Sequence, residues 1–353
     1  MPFLLGTGFL EVLMKHVGFL LCVALAAVPV ASEAQTPAVP RTSAGRPDLQ
    51  GVWANNSATP LERPDELTGR EVLTEMEVAA LTQRAGELFS DDADDAAFGD
   101  AVFLSTLRQA ESYQSTDGVT DDAPAGTGNY NHFWLVERNF DNRTSVIVDP
   151  PDGRIPPLTP QAQKKEADAA EYRRLHPADG PEDLPVGHRC VTRTLPRLLA
   201  GYNSYFQIVQ TPGYVAIVRE MIHETRIIPV DERPHLGPKI RQWSGNSRGH
   251  WEGDTLVVDT TDFSPKANFR GSSEDFHLVE RFTRVDGDTI HWEVTMEDPT
   301  TWTAPWTAAV VLQRTEDPVF EYACHEGNEG MAGTLAGHRA QEKVTHNAET
   351  DSK

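Results

Sequence analysis

Residues 277–297 read HLVERFTRVDGDTIHWEVTME, two alternating runs hinged on Asp286-Gly287. Leu278, Glu280 and Phe282 fall on one side of the first run, and Ile290, Trp292, Val294 and Met296 on one side of the second. A period of two is the pleat of a β-strand, and Asp-Gly between two such runs is a hairpin signal. The texture extends over most of the second half. SYFQIVQ, GYVAIVREM and ETRIIPV follow one another, with a tight bend near Ile222–His223. IRQWSG and RGHWEGDTLVVDTTDF come next, the latter folding on Glu252-Gly253-Asp254, and WTAAVVLQRT and VFEYAC close the set. Roughly ten to thirteen short strands with turn signals every eight to twelve residues predict a mainly β chain. The expected architecture is an antiparallel barrel-like or strongly curved meander sheet with peripheral helices. No repeat with a period of 20–50 residues is present, which argues against a propeller.

The first half adds helices and punctuation. Residues 72–89 carry Val78, Leu81, Ala85, Leu88 and Phe89 at helical spacing, and Thr74 with Glu77 forms a capping box. Thr159-Pro160 starts a second helix through about Leu175, with proline just inside its first turn. A final helix is expected from about Gly330 to Lys343. NHFWLVE and TSVIVD flank RNFDNR as a hairpin-like pair, and the proline-dense segment 150–160 predicts an extended clamp.

The N-terminus reads as an address. Met14 opens a stretch with Lys15 and His16, an apolar run from Val17 to Ala31, and small residues at Ser32 and Ala34, so residues 1–34 are expected to be a signal peptide with an N-terminal extension. The apolar run is short of the roughly 20 residues a membrane span needs, so no stable membrane insertion is expected after cleavage. Residues 35–48 are a proline-rich leader, 49–343 a single β-rich domain with an acidic insert at 90–128, and 344–353 a tail. A periplasmic or secreted location follows. The formal charge is −22 for the whole chain, and loss of Glu11, Lys15 and Glu33 leaves −21. A chain this acidic repels phosphate backbones, so nucleic acid is not an expected partner. Of three cysteines, Cys22 leaves with the signal, and Cys190 and Cys324 remain as an expected disulfide.

Several polar residues stand where strands otherwise carry core. Glu280 lies between Leu278 and Phe282, either lining a cavity or paired with Arg281 or an arginine of a neighbouring strand. Glu220, His223 and Arg226 gather around the Ile222–His223 bend, a set able to do acid–base and anchoring chemistry. In EYACHEGN, continued alternation would put Glu321 and His325 on one face while Cys324 turns toward Cys190. His223 and His325 are therefore the general acid–base candidates, with Glu220, Glu280 and Glu321 as orienting or proton-abstracting carboxylates. Arg226 and Arg281 are candidate anchors for an anionic or carbonyl group, and Trp302 and Trp306 candidate walls of an apolar pocket, with core packing as the plainer role. The single G-x-S-x-G, Gly245–Gly249, is followed by a strand rather than a helix and reads as a turn. No G-x-G-x-x-G opens a helix, so no nucleotide cofactor is expected. None of the twelve histidines lies in an H-x-x-x-H or H-E-x-x-H spacing, so no metal is expected unless separate elements assemble its site.

PDLQGVW, RTSVIVDPPDGRIPPLTPQAQ, QIVQTPGYVAIV, RGHWEGDTLVVDTTDF and EYACHEGN together resemble a large group of secreted bacterial proteins of unassigned activity. The resemblance spans about residues 47–343 and implies an exported single-domain protein without supplying catalytic residues. Gly51-x-Trp53 on the first strand is similar to the opening of lipocalin-type barrels. The expected function is a cofactor-independent lyase, isomerase or hydrolase using His/Glu acid–base chemistry on a small organic or glycosidic substrate. A barrel that binds a hydrophobic or aromatic small molecule without turnover is the alternative, and a structural envelope protein is a third.

Overall fold

A computed structural model describes residues 39–89, 100–109, 138–199, 201, 203–231 and 233–351. The expected signal segment, most of the acidic insert and NHFWLVE, expected as a strand, lie outside the described residues. Ten strands carry the fold: β1 (Gly51–Asn55), β2 (Ile147–Asp149), β3 (Tyr205–Gln210), β4 (Tyr214–Arg219), β5 (Thr225–Pro229), β6 (Asn246–Glu252), β7 (Thr255–Thr261), β8 (His277–Arg284), β9 (Thr289–Glu297) and β10 (Trp306–Thr315). The sheet order is β5-β4-β3-β1-β10-β9-β8-β7-β6, every neighbouring pair antiparallel, with short β2 added on β10.

The two ends of this order meet. A side chain on Gly249 of β6 would stand 3.1 Å from Ile228 Cγ2 and 3.3 Å from Val230 Cγ2, so β6 lies against the end of β5 where glycine leaves room. Followed round that seam, the path is a nearly closed nine-strand barrel with its strands in sequence order, β2 aside. Nine alternating strands leave one like-directed pair, and that pair is β5 and β6. Like-directed neighbours cannot be joined by a tight hairpin and need a long connection. Residues 230–245 supply it.

Alternation fills the interior with large side chains. Trp53, Phe206, Ile217, Ile228, Leu256, Leu278, Phe282, Trp292, Val294, Trp306 and Leu312 form one buried cluster, sealed further by Leu195 and Leu198 of the preceding loop. Trp302 and Trp306 stand edge to face at 5.7 Å, and Phe282 stacks on Trp292 at 5.8 Å. Aromatic pairs at these separations add packing energy beyond their buried area. Trp302 and Trp306 are therefore core residues rather than pocket walls, 2% and 0% exposed.

One ion pair sits within this apolar mass. Arg226 of β5 donates from both terminal nitrogens to the two oxygens of Glu280 of β8, at 2.5 and 3.0 Å, with side chains 7% and 0% exposed. The carboxylate flagged by its place between Leu278 and Phe282 thus points inward and is neutralised from across the barrel. Arg281, one residue on, faces outward and bonds Glu252 at 2.8 Å, so it is a surface ion-pair partner rather than an anchor in a shared hollow.

The helices sit outside the barrel. α1 (Glu75–Leu88) starts with the expected capping box: Glu77 N–H donates to Thr74 Oγ1, and Thr74 N–H donates to Glu77 Oε2. α2 (Ala101–Leu107) lies inside the acidic stretch and buries Val102 and Phe103, packing Phe103 with Leu67, Leu73 and Leu81 of the α1 side. The apolar AVFL run of this acidic stretch thus joins a small core separate from the barrel cluster. α3 (Pro160–Leu175) is capped by Thr159, whose Oγ1 accepts from Ala162 N–H. α4 (Glu329–Asp351) is the final helix, longer than expected. IRQWSG is not a strand but a turn, held by the Gln242 and Phe263 bridge.

The Arg226–Glu280 pair sets a stability prediction. Glu280→Gln leaves a guanidinium buried without its counter-charge and should cost about 3–5 kcal/mol, whereas the joint replacement Arg226→Met with Glu280→Leu should be near neutral. Urea unfolding of the disulfide-intact protein measures both. Equal losses in the single and joint variants would show that the cost is not that of a buried charge left without its partner.

Candidate functional site

Backbone strain is concentrated beside one bend. Eight described non-glycine residues have φ in the left-handed region, and five of them are Cys190 (56°), Thr194 (60°), Asn203 (47°), Ile222 (61°) and His223 (42°). Such conformations are rare for β-branched side chains, cost on the order of 1–3 kcal/mol each, and persist only where the surroundings enforce them. The enforcement is visible. The β4–β5 bend, the loop 190–199 and the chain after β10 are bound into one knot.

Its bonds are specific. Cys190 and Cys324 form a disulfide with their Cα atoms 5.7 Å apart, closing a separation of 134 residues. In the chain-entropy model a loop of that length is worth about 5 kcal/mol. Thr192 Oγ1 donates to the Glu224 carboxylate (2.9 and 3.1 Å) and accepts from Thr194 N–H at 2.9 Å. Arg219, 3% exposed, bonds Glu224 and donates to Thr194 O at 2.8 Å. Glu220, 1% exposed, accepts from Phe320 N–H at 3.0 Å. Burial raises its pKa, and that backbone bond offsets only part of the effect.

The strand expected to carry Glu321 and His325 together is not formed. β10 ends at Thr315, Asp317-Pro318 interrupts it, and residues 318–323 run as irregular chain into turns from Cys324. Proline has no N–H to donate, and the Phe320 N–H is taken by a side chain instead of a ladder. Val319 covers Val52, Ala54 and Tyr205 on the outer face of β1 and β3. Alternation therefore does not set the direction of Glu321 or His325, and both are exposed.

This knot borders an open groove of about 650 Å³ between the 184–193 loop and the 321–334 segment. His188, Arg193, Glu321, Tyr322, Asn328 and Met331 line it, with the disulfide in its wall. Asn328 Nδ2 donates to His188 O at 2.8 Å, tying the two sides together. His223 lies next to the groove: its Nδ1 is 2.9 Å from Tyr322 O. A carbonyl only accepts, so Nδ1 carries the proton, and in the neutral ring Nε2 holds the lone pair. Burial and the neighbouring Arg219 and Arg193 hold Arg197 down to about 10, while burial likewise lowers Arg219 against the pull of Glu224.

The expected site residues thus divide into two sets. Glu220, His223, Glu321 and the Cys190–Cys324 pair belong to the knot and its groove. Glu280 and Arg226 are sealed in the barrel, Trp302 and Trp306 are core, and Arg281 faces solvent elsewhere. His325 follows the half-cystine at the surface and does not line the groove. Sequence reasoning missed His188, Arg193 and Glu224, which lie in irregular chain with no period to place them.

It also missed a histidine–carboxylate chain on the outer face of the barrel. Asp259 of β7 holds His235 Nε2 at 2.8 Å on one oxygen and His277 Nε2 at 2.6 Å on the other, and His277 Nδ1 is 3.7 Å from Glu297 of β9. His235 Nδ1 reaches Asn246 Oδ1 at 3.2 Å. Period-two alignment of Asp259, His277 and Glu297 on three successive strands is the signal that would have found it. The hydrogen bond to Asp259 raises the pKa of His277. Burial pulls Asp259 toward its neutral form, but the two imidazoles outweigh it and hold the carboxyl below the usual range.

Compared with protein-family models, curated proteins and solved structures, the chain matches none, so the functional reading rests on the site's own geometry.

The sign of the His277 shift makes a pH prediction. A raised folded-state pKa contributes stability that is complete below the unfolded value near 6.5 and is lost as pH rises through the folded value. The lowered Asp259 contributes above its unfolded value near 3.9 and loses that as pH falls. The stability advantage of the native protein over His277→Gln should therefore be largest at about pH 5–6 and shrink toward pH 8–9. Thermal unfolding across that range tests it, and an advantage that grows with pH would contradict the assignment.

Proposed function

We propose that this protein is an exported acid–base enzyme acting on a small organic anion in the groove beside the Cys190–Cys324 disulfide. The carrying observation is the His223 ring, set on a strained bend with Nδ1–H donated to Tyr322 O. That arrangement leaves Nε2 as the proton acceptor, which is what a general base requires. Arg193, which makes no ion pair among the described residues, serves as the anion anchor. Glu321, on the same wall, is the second proton carrier, and the Arg193 guanidinium in the lining favours charge developing on a substrate oxygen. The reaction class is proton transfer of the lyase, isomerase or hydrolase kind, without a nucleotide cofactor.

Export rests on the N-terminal segment read as a signal, on the likeness of the motifs to secreted bacterial proteins, and on a disulfide that suits an oxidising compartment. A second reading, binding without turnover, draws on the apolar part of the wall, where Leu184 and Met331 meet the disulfide. It too belongs to the groove rather than the lumen, because large side chains occupy the barrel interior.

Turnover of a panel of small carboxylates and hydroxy acids by the purified disulfide-intact protein tests the proposal. For a substrate that is consumed, His223→Gln should lower kcat by about 10²–10⁴-fold, and Arg193→Met should act mainly on KM. An unchanged kcat in His223→Gln would remove the histidine from the mechanism. Saturable binding to the groove with no turnover of any panel member would favour the second reading.

A further inference from the structure

A separate cluster lies where α4 meets the chain following α3. His338 and Glu342 are four residues apart on α4 and share one face of the helix. Asp179 approaches them from the loop after α3. His338 Nε2 is 3.5 Å from Asp179 Oδ1 and 3.4 Å from Glu342 Oε1, and one ligand atom from each of the three residues lies within 4.8 Å of the other two. His338 is 17% exposed in its side chain.

These separations are too long for good hydrogen bonds, whose heavy atoms lie at about 2.7–3.2 Å. They match another geometry. Zinc holds imidazole nitrogen and carboxylate oxygen at about 2.0–2.2 Å in a tetrahedron, and the edge of a tetrahedron with such bonds is about 3.4 Å. The two edges from the His338 nitrogen, to Asp179 and to Glu342, have about that length, and the third, between the carboxylates, is within 4.8 Å.

The surrounding groups hold the ligands from outside. His176, at the end of α3, stacks on Tyr172 with ring centroids 4.5 Å apart and places Nδ1 2.6 Å from Asp179 Oδ2, the oxygen turned away from His338. That bond fixes the orientation of the Asp179 carboxylate, leaving Oδ1 toward His338. Arg339 bonds both oxygens of the Glu342 carboxylate at 2.8 Å, Oε1 included, so a bound metal shares that oxygen with the guanidinium or takes its place; Arg339 also donates to the backbone oxygen of Asp179, tying both carboxylate carriers together. Hydrogen-bonded carboxylates and oriented imidazoles around the ligands are the usual support of a metal site.

We infer that His338 Nε2, Asp179 Oδ1 and Glu342 Oε1 form a divalent transition-metal site of the zinc class, with a fourth position open to water or to a small ligand. The expectation of no metal, drawn from histidine spacing, is revised for the reason stated with it: the ligands come from separate elements. Imidazole with carboxylates suits zinc, cobalt or nickel, while calcium and magnesium prefer all-oxygen sets. Bound metal would clamp α4 to the end of α3. This inference does not depend on the groove being catalytic.

The test uses the full disulfide-intact chain, stripped with chelator and titrated with Zn²⁺ by calorimetry and with Co²⁺ by visible absorption. The expected result is one ion per chain, with the intense visible bands of low-coordinate cobalt. His338→Ala and Glu342→Gln should each weaken binding by at least about 10-fold, and His176→Gln by a smaller factor through loss of positioning. Circular dichroism and a free-thiol count establish that each variant is folded. Should a folded His338→Ala variant fail to bind, a remote surface change such as His250→Gln should bind as the native chain does. Absence of stoichiometric binding to the native chain, or native affinity in folded His338→Ala, overturns the inference.

Discussion

An odd number of strands cannot alternate in direction all the way round a barrel. Here the mismatch falls between β5 and β6, and much of the architecture answers to it. The seam needs a long connection rather than a hairpin, and close approach of its two edges needs Gly249. It also takes a bond that reaches past the nearest strands: Arg226 on the seam strand β5 crosses the interior to Glu280 on β8. Two charges taken out of water are stable only because each satisfies the other with two hydrogen bonds. This pair ties the seam side of the barrel to the far wall while the apolar cluster closes around it.

A filled interior moves any chemistry to the outside. Trp53, Phe206, Phe282, Trp292 and Trp306 take the volume that a ligand would need in a wider barrel. The polar groups that remain collect where strands end and the chain turns irregular. At the β4–β5 bend, five left-handed residues, a disulfide and buried Glu220 and Arg219 are bound to one another. Such an assembly holds His223 in a single orientation beside a groove, at a local cost that the rest of the fold sustains. The cluster at α3 and α4 is built on the opposite logic: regular helix places His338 and Glu342, and a loop brings Asp179 to them.

Legibility in sequence followed regularity. Glu280 was marked as anomalous by its flanks, Leu278 and Phe282, because in a strand the side of a residue follows from its parity. The partner was not readable, since Arg226 lies 54 positions earlier and the register linking β5 to β8 passes through the whole barrel. Thr74 with Glu77 and Thr159 with Pro160 were legible because caps are satisfied within a few residues. Glu321 and His325 were misread by the same parity rule applied past its range, once Pro318 had broken the ladder. Trp302 and Trp306 carry no mark that separates a pocket wall from a core; only the packing of Phe269, Phe276 and Met296 around them does.

The sequence by itself determined most of the strands and their turns, the helix caps and the pairing of Cys190 with Cys324, because each depends on neighbours along the chain or on elimination among few candidates. The tertiary structure alone decided which carboxylates are buried, which imidazole is oriented by a carbonyl, and which helix residues meet a loop at metal-binding distance. Those outcomes depend on barrel shear, on the seam and on where irregular chain is drawn back over the sheet, and no local pattern encodes distances between segments so far apart along the chain.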